Sequence, residues 1–423
     1  MKILLVAERY WPEVGAAPTR LANMAVGLKN NGCEVDVLTS LPNYPKGKIF
    51  EDYKRHVSVC EVHEGVSLFR YWIYATISKK PMARIGNMFS FALMIWLFVF
   101  KRKRIKGYDC VIIQTPTVVV AASAMFLFKT IYRKKCILNV SDIWPMTAVD
   151  MGVMTTGCRS YRFMSVLERY LYKHADGVLG QSVEILNHVE QEIRSIHGNW
   201  NSSRQKDSDE VLNSDIWQHD NRLFLYRNLQ MYQTNGIRKV KGEPLKLVFC
   251  GMLGVAQDVF GIVKNVPFKE LGVEFHILGG GKQYDDIRQY IIDNPDCNVF
   301  AYGFVSKEEI PSRLKEMDVG VVPLVSRIRG AFPSKLFDLI PQGLPVLFCG
   351  GGEGARFISD NRVGITSAPS DYRSLIENIK YFQNMPPADY EAMSTHCICI
   401  SQEYLNFDKQ MKECTEFLKR IVK

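Results

Sequence analysis

The sequence predicts an α/β protein of two Rossmann-like domains in series. Its 423 residues exceed the roughly 100–200 of one ordinary domain. Short, continuous apolar runs alternate with segments of helical spacing, and the alternation stops at a polar stretch and begins afresh after it. Runs that are apolar throughout, rather than at every second residue, mark parallel strands covered on both faces.

The first series opens with "KILLVA", a strand, and a loop. In "APTRLANMAVGLKNNG" residues Leu21, Met24, Ala25 and Leu28 then fall at helical spacing, with Gly32 as the stop. "EVDVLT" completes a βαβ unit. Glu64-Gly65 inside "VSVCEVHEGVSLFRYW" predicts a hairpin. An apolar helix follows, then "DCVIIQ" (strand), "TVVVAASAMFLFKTIY" (helix), "CILNV" (strand) and helices over 159–174 and 183–195 with "GVLG" between them. From His197 to Asp220 the chain turns polar, which predicts a surface insertion. After the strand "LFLY" and the linker "QTNGIRKVKGEP", the strands "KLVFCG", "VEFHILG", "NVFAYG", "DVGVVPL" and "PVLFCG" alternate with helices starting near Asp258, Lys282, Lys307 and Ser334. The expected division is a first domain over 1–196, insertion and linker over 197–244, a second domain over 245–400 and a terminal helix over 401–423. No repeat of solenoid period is present.

The net charge is +9, and it is uneven. Residues 1–175 hold 25 Lys+Arg against 12 Asp+Glu, a net of +13, which leaves −4 for the rest. The basic residues crowd around "MFSFALMIWLFVFKRKR" (Lys79, Lys80, Arg84, Lys101 to Arg104, Lys106) and recur at Arg133 to Lys135. No nucleic-acid module accompanies them, so nucleic acid is not an expected partner. A basic patch beside apolar residues suits an anionic lipid surface. The apolar run from Phe89 to Phe100, extended back to Ile85, makes sixteen residues, short of the ~20 that span hydrocarbon. Shallow docking is therefore expected, and burial against the sheet is the alternative. "MKILLVAERYW" reaches Glu8 and Arg9 after five apolar residues, so no export signal is expected. The eleven cysteines lie mostly in apolar runs and read as reduced core residues. His396, Cys397 and Cys399 form one short cluster with no second Cys pair, which favours packing over metal ligation.

In open α/β sheets, ligands bind beyond the carboxyl ends of the strands. Those loops are "PEVGAAPTR" (Gly15, Ala16, Ala17, Thr19, Arg20), "QTPT" and "NVSDIWP" (Asp142, Trp144) in the first domain. In the second they are "CGMLGVAQD" (Gly251, Gly254), "LGGGKQY" (Gly279 to Gly281), "GFVSKEE" and "RIRGAFPSK" (Arg327, Arg329, Ser334, Lys335). A single such loop needs nothing beyond tight-turn sterics; glycine-bearing strand ends in both domains suggest a site.

The ordered set "PEVGAAPTRL", "LPNYPKGKI", "SDIWP", "CGMLGVAQ", "ILGGGKQ", "GFVSKEEIP", "DVGVVPL", "FPSKLFDLIPQGLPVL" and "GGEGARFI" resembles the retaining nucleotide-sugar glycosyltransferases of the GT-B fold, family 4. Most similar is the bacterial branch that builds capsule, O-antigen and colanic-acid polysaccharides, including N-acetylfucosaminyltransferases. Two departures stand out. Where the family commonly has two Glu eight positions apart, this chain has Gly330 and Asp338, and the usual donor-phosphate Arg and Lys fall at Met252 and Gln257.

The resemblance implies two domains facing across a cleft, with the C-terminal helix packed back on the first. It implies transfer of a sugar from a nucleotide diphosphate sugar, UDP-linked, to an undecaprenyl-diphosphate-linked acceptor with retained configuration. No cofactor or metal is implied. Lys335, a helix N-terminus at Ser334 and N–H groups at Gly254 and Gly280 would stabilise the leaving diphosphate. Arg327 and Arg329 would add positive charge, Asp338 would hold the ribose, and Gly251 and Glu353 would line the donor site. Gly15, Ala16, Ala17, Thr19 and Arg20 would face the acceptor. Asp142 would position or deprotonate the acceptor hydroxyl, or else cap the next helix. The implied location is cytoplasmic, peripheral on the inner face of the bacterial membrane. Two rivals are an epimerase of the same fold and a silent partner of a polysaccharide assembly complex, the latter motivated by Gly330, Met252 and Gln257.

Overall fold

The computed structural model describes residues 1–78, 80–196, 220–231, 236, 239–306 and 309–423. It divides into two compact units, Met1–Met231 with Asp408–Lys423, and Tyr232–Phe407. The boundary at Met231/Tyr232 falls inside the stretch expected as insertion and linker, 197–244. The short strand beyond the polar segment pairs with the first sheet, Val178 opposite Leu223, and the Pro387–Tyr404 helix runs past residue 400 without a break. Of the insertion expected from His197 to Asp220, all but Asp220 lies outside the described residues, as does the helix start expected at Lys307.

In the first unit, strands β1 (Lys2–Val6), β2 (Glu34–Ser40), β3 (Ser58–His63), β4 (Val66–Tyr71), β5 (Cys110–Gln114), β6 (Lys135–Val140), β7 (Gly177–Gly180) and β8 (Leu223–Leu225) form one sheet in the order β3-β4-β2-β1-β5-β6-β7-β8. All pairs are parallel except the β3–β4 hairpin. In the second unit, β9 (Lys246–Cys250), β10 (Glu274–Leu278), β11 (Val299–Gly303), β12 (Val319–Pro323), β13 (Val346–Cys349) and β14 (Gly364–Ser367) form a parallel sheet in the order β11-β10-β9-β12-β13-β14. The apolar runs are buried on both faces as parallel pairing demands: Ile3 to Val6 and Cys110 to Ile113 are all in the core. The strand order reverses between β1 and β5 and again between β9 and β12, and it is at such reversals that open sheets leave a crevice for ligands.

The apolar stretch is one continuous helical rod: Pro81–Met94 is α-helical, Ile95–Lys101 is 3₁₀, and Arg102–Gly107 is α-helical again. The basic residues therefore continue the helix instead of ending it. Met82–Gly107 runs 26 residues and contains an 18-residue window of mean hydropathy 1.6, long and apolar enough to cross a membrane, yet only 22% of that window is buried within the protein. The terminal helix Phe407–Val422 belongs to the first unit from Asp408 onward. Phe417 packs on Phe224 of β8 with ring centroids 5.3 Å apart, and the Gln410 side chain exchanges two hydrogen bonds with the Arg227 backbone.

Candidate functional site

In the second unit, the loops after β9, β10, β12 and β13 converge at the β9/β12 reversal. The Lys335 stem lies across Gly251, so close that a Cβ at 251 would stand 2.7 Å from Lys335 Cε. Gly251 also has φ 140°, a conformation side chains disfavour. Glycine there is what allows Lys335 to lie over the end of β9, its Nζ 5.3 Å from the centre of the Phe249 ring. Burial lowers the pKa of Lys335, while Asp338 and Cys250 pull it back up. The same three groups meet at Cys250, whose thiol is pushed up to about 12 by burial, then by Asp338, against the opposing Lys335. Lys335, Asp338, Cys250 and Gly251 thus form one cluster.

The glycine loops interlock around it. Gly279 lies so near the Gly251 carbonyl that a Cβ would collide with it. Leu253 N–H donates to Gly280 O at 2.9 Å, and the exposed Phe304 covers Gly280. Gly254 sits over Gln257, whose Oε1 would be 2.9 Å from an added Cβ. Arg327 runs along Gly351 and Gly352 at the start of the Gly352–Asp360 helix, whose first turn carries the buried Glu353. Arg329 is exposed on the same loop as Arg327. Loop and helix touch again where Pro333 meets Gly354.

One expectation is corrected. The helix expected from Ser334 is a single turn, Leu336–Leu339, continued as 3₁₀ over Ile340–Gln342, because Pro341 and then Gly343 in left-handed conformation cannot extend it. Four residues align too few peptide dipoles for the helix end to act as a strong positive pole. The positive charge at this point is the Lys335 ammonium itself.

In the first unit, Gly15 is the N-cap of the Ala16–Asn30 helix, with Ala16, Ala17 and Thr19 in its opening turns. Arg20 is not a surface residue. It is 5% exposed and reaches over the ends of β6 and β7, donating through Nη1 to Gln181 Oε1, while Nε and Nη2 are buried without a hydrogen-bond partner. Burial lowers its pKa, opposed by Asp142 and Tyr226. Burial likewise raises the pKa of Asp142, opposed by Arg20 and the Ser141 hydroxyl. Asp142 does not cap the next helix: the N-cap of Met146–Asp150 is Pro145, with no side-chain cap bond.

The structure adds two carboxylates that the sequence motifs do not single out. Glu8, just after β1, is a carboxylate at the β1/β5 reversal; burial raises its pKa, opposed by Arg9 and by the Thr117 side chain in the loop after β5. Glu13 accepts the Asn43 and Tyr44 N–H groups, each at 2.8 Å, and fastens the loop after β2. Both stand in "AERYWPE", where Glu8 and Arg9 read simply as the end of an apolar run. A carboxylate two residues past a buried strand is the signal available for Glu8. Among the described residues no group of three or more His, Cys, Asp and Glu could hold a metal. Cys397 is buried and Cys399 exposed, so these two do not share one environment.

Comparison with known proteins adds the following. Residues 15–194 match the Glycosyl transferase 4-like domain and residues 245–384 the Glycosyl transferases group 1 family. The chain is 22% identical over 356 residues to the putative colanic acid biosynthesis glycosyl transferase WcaI of Escherichia coli (strain K12), covering 81% of this chain and 82% of that one. Among solved structures it is similar to a sucrose-phosphate synthase from Thermosynechococcus elongatus, with a TM-score of 0.65 at 12% identity over 99% and 98% of the two chains. It is also similar to HepE of Anabaena in complex with UDP and glucose, with a TM-score of 0.61 at 13% identity over 99% of each. Both family matches are named for glycosyl transfer, so neither epimerase nor silent partner is favoured. The chain is a glycosyltransferase of the GT-B fold, its first Rossmann-like domain of the glycosyl transferase 4-like kind and its second of the group 1 kind.

Proposed function

We propose that this enzyme moves a sugar from a UDP-linked donor to an undecaprenyl-diphosphate-linked sugar, with retained configuration and no metal, during synthesis of a bacterial surface polysaccharide. The observation that carries the donor side is the Lys335 ammonium held at the β9/β12 reversal by Gly251. As the bond from sugar to diphosphate breaks, charge grows on the leaving oxygens, and a fixed cation stabilises that charge more than the ground state. Asp338, in the same cluster, is suited to accept hydrogen bonds from ribose hydroxyls, and Arg327 and Arg329 add charge on the β12 loop. HepE supports this reading by binding UDP and glucose on a similar fold.

For the acceptor, Arg20 supplies buried guanidinium N–H groups lacking a partner, a device suited to the diphosphate of a lipid carrier. Asp142 and Glu8 are the carboxylates at strand ends suited to orient or deprotonate the attacking hydroxyl. The colanic acid role printed for WcaI supports polysaccharide assembly as the setting. Nucleotide sugars are the donors, so the reading puts the enzyme on the inner face of the cytoplasmic membrane. The test is release of UDP from candidate UDP-sugars with and without a synthetic polyprenyl-diphosphate sugar. Acceptor-dependent release with the product's anomeric configuration retained by NMR supports it. Release independent of acceptor, or an inverted product, overturns it.

A further inference from the structure

The Met82–Gly107 rod has two unlike apolar faces. Phe91, Ile95, Phe98 and Ile105 are fully buried in the first unit's core, where Phe98 packs edge-on to Phe69 with centroids 5.3 Å apart. On the opposite side, Met82, Ile85, Phe89, Leu93, Trp96 and Phe100 recur at intervals of three or four residues and are exposed, which is the spacing of one helical face. The exposure is large: Leu93 68%, Met82 76% and Phe100 87%. The stripe widens onto a neighbouring helix. Phe126 and Ile131 are exposed beside it, Trp96 and Phe126 have centroids 6.1 Å apart, and Trp96 Nε1 donates to Ser123 Oγ at 3.0 Å. Lone exposed apolar residues are ordinary; a contiguous ridge of this kind marks an interaction surface.

Charge identifies the occupant. No Asp or Glu occurs from Lys80 through Tyr108. Exposed Lys80 and Arg84 stand at one end of the ridge, and exposed Arg102, Lys103 and Lys106 at the other. Arg104 is engaged with Asp36 at 3.0 Å. A second copy of the chain docking through this face would bring like charge against like, because a two-fold interface pairs a patch with itself. An anionic bilayer offers hydrocarbon for the ridge and phosphates for its basic ends.

We propose that the Met82–Phe100 ridge, with Phe126 and Ile131, seats in the interfacial layer of an anionic bilayer, the helix lying along the surface without crossing it. Crossing would pull Phe91, Ile95 and Phe98 out of the core they share with Phe69 and Phe128, so the buried face ties the rod to its domain. This surface does not depend on the transferase reading, and its test needs no substrate.

The test is co-sedimentation of the full chain with vesicles of phosphatidylcholine or of phosphatidylglycerol, at low and high salt. Binding to phosphatidylglycerol, weakened by salt, is expected. Arg102→Glu with Lys103→Glu should lower partitioning by about tenfold or more, from roughly fivefold per charge removed. Leu93→Ser with Phe100→Ser should lower it by about tenfold or more, with thermal unfolding unchanged because both side chains are exposed. Brominated lipid should quench tryptophan fluorescence in the wild type and markedly less in Trp96→Phe. Four results would each overturn the proposal: no vesicle binding, equal binding to both lipids, variants that bind like the wild type, or carbonate-resistant binding with Met82–Phe100 protected from protease, which means a span. Self-association that these substitutions abolish, without vesicle binding, would assign the ridge to a second copy instead.

Discussion

Replacing Lys335 by Met removes the ammonium and keeps most of the stem that packs over Gly251 and Phe249, so the variant isolates charge from packing. About half a unit charge building up at ~4 Å from a cation, in a half-buried site of effective dielectric about 20, gains about 2 kcal/mol, a factor of about thirty in rate. Loss of one stabilising donor from a preorganised site costs about 10²–10³. The expected fall in kcat/KM for donor therefore lies between these. Stability should change by less than about 1 kcal/mol: a cation–π contact of ~0.5–1 kcal/mol is lost, and the penalty of burying the charge disappears with it. The assay is UDP release under saturating acceptor, with thermal unfolding alongside. It also carries a pH signature. Burial lowers the Lys335 pKa, so the wild type should lose activity as pH rises through a value below the ordinary 10.5, and Lys335→Met should lack that limb. Lys335→Arg should recover only part of the rate, because a planar fork does not put its charge where an ammonium does. A Met variant with wild-type kcat/KM and an unchanged alkaline limb refutes the role and moves attention to Arg327 and Arg329.

Other expectations follow from the same geometry. Gly279→Ala drives a Cβ into the Gly251 carbonyl and should cost ~3 kcal/mol or more by denaturant unfolding; Gly251→Ala should lower turnover by displacing Lys335. Asp142→Asn leaves buried Arg20 without its facing carboxylate and should destabilise by about 1–3 kcal/mol. Glu8→Gln should destabilise less, and whichever of the two lowers kcat with donor KM unchanged in steady-state kinetics is the group acting on the acceptor. Lys239 donates to the Leu314 and Lys315 carbonyls, and burial lowers its pKa to about 8. The native state thus gives up that proton before the unfolded chain does. Stability relative to Lys239→Met should therefore rise, by on the order of 2–3 kcal/mol, as pH goes from about 8 to about 10.5, read from urea unfolding across that window.

Much of the fold can be read from the sequence because parallel strands leave a strong trace: "KILLV", "CVIIQ" and "KLVFC" are continuously apolar but for one end residue each, and each is a strand. Other features leave a weaker one. β14, "GITS", is too short and mixed to read as a strand, and it exists because Val346 to Cys349 pair with it. The helix after Lys335 is shorter than its opening residues suggest because Pro341 and Gly343 act from its far end. Within the site, the loops are legible as glycine-rich strand ends, but their interlocking is not: that Gly251 makes room for a lysine 84 positions on is a tertiary fact. That Arg20 is buried is likewise a tertiary fact, because Gln181 and Asp142 come to it from the ends of distant strands. The ridge is half legible, since Phe126 and Ile131 sit in a different apolar run.

The terminal helix Phe407–Val422 has a consequence for how the chain is made. Met411, Cys414, Phe417 and Leu418 are buried against the β7–β8 side of the first domain, where Gly177 lies under Phe417 and Ile421. The first domain thus waits, with that apolar strip open, for these sixteen residues to leave the ribosome. By then the second domain has already been synthesised. Truncation at Phe407, or expression of Met1–Met231 alone, would fix the protein in that unfinished state, and the open strip would favour aggregation. Supplying the helix in trans, or moving it next to the first domain by circular permutation, should restore solubility.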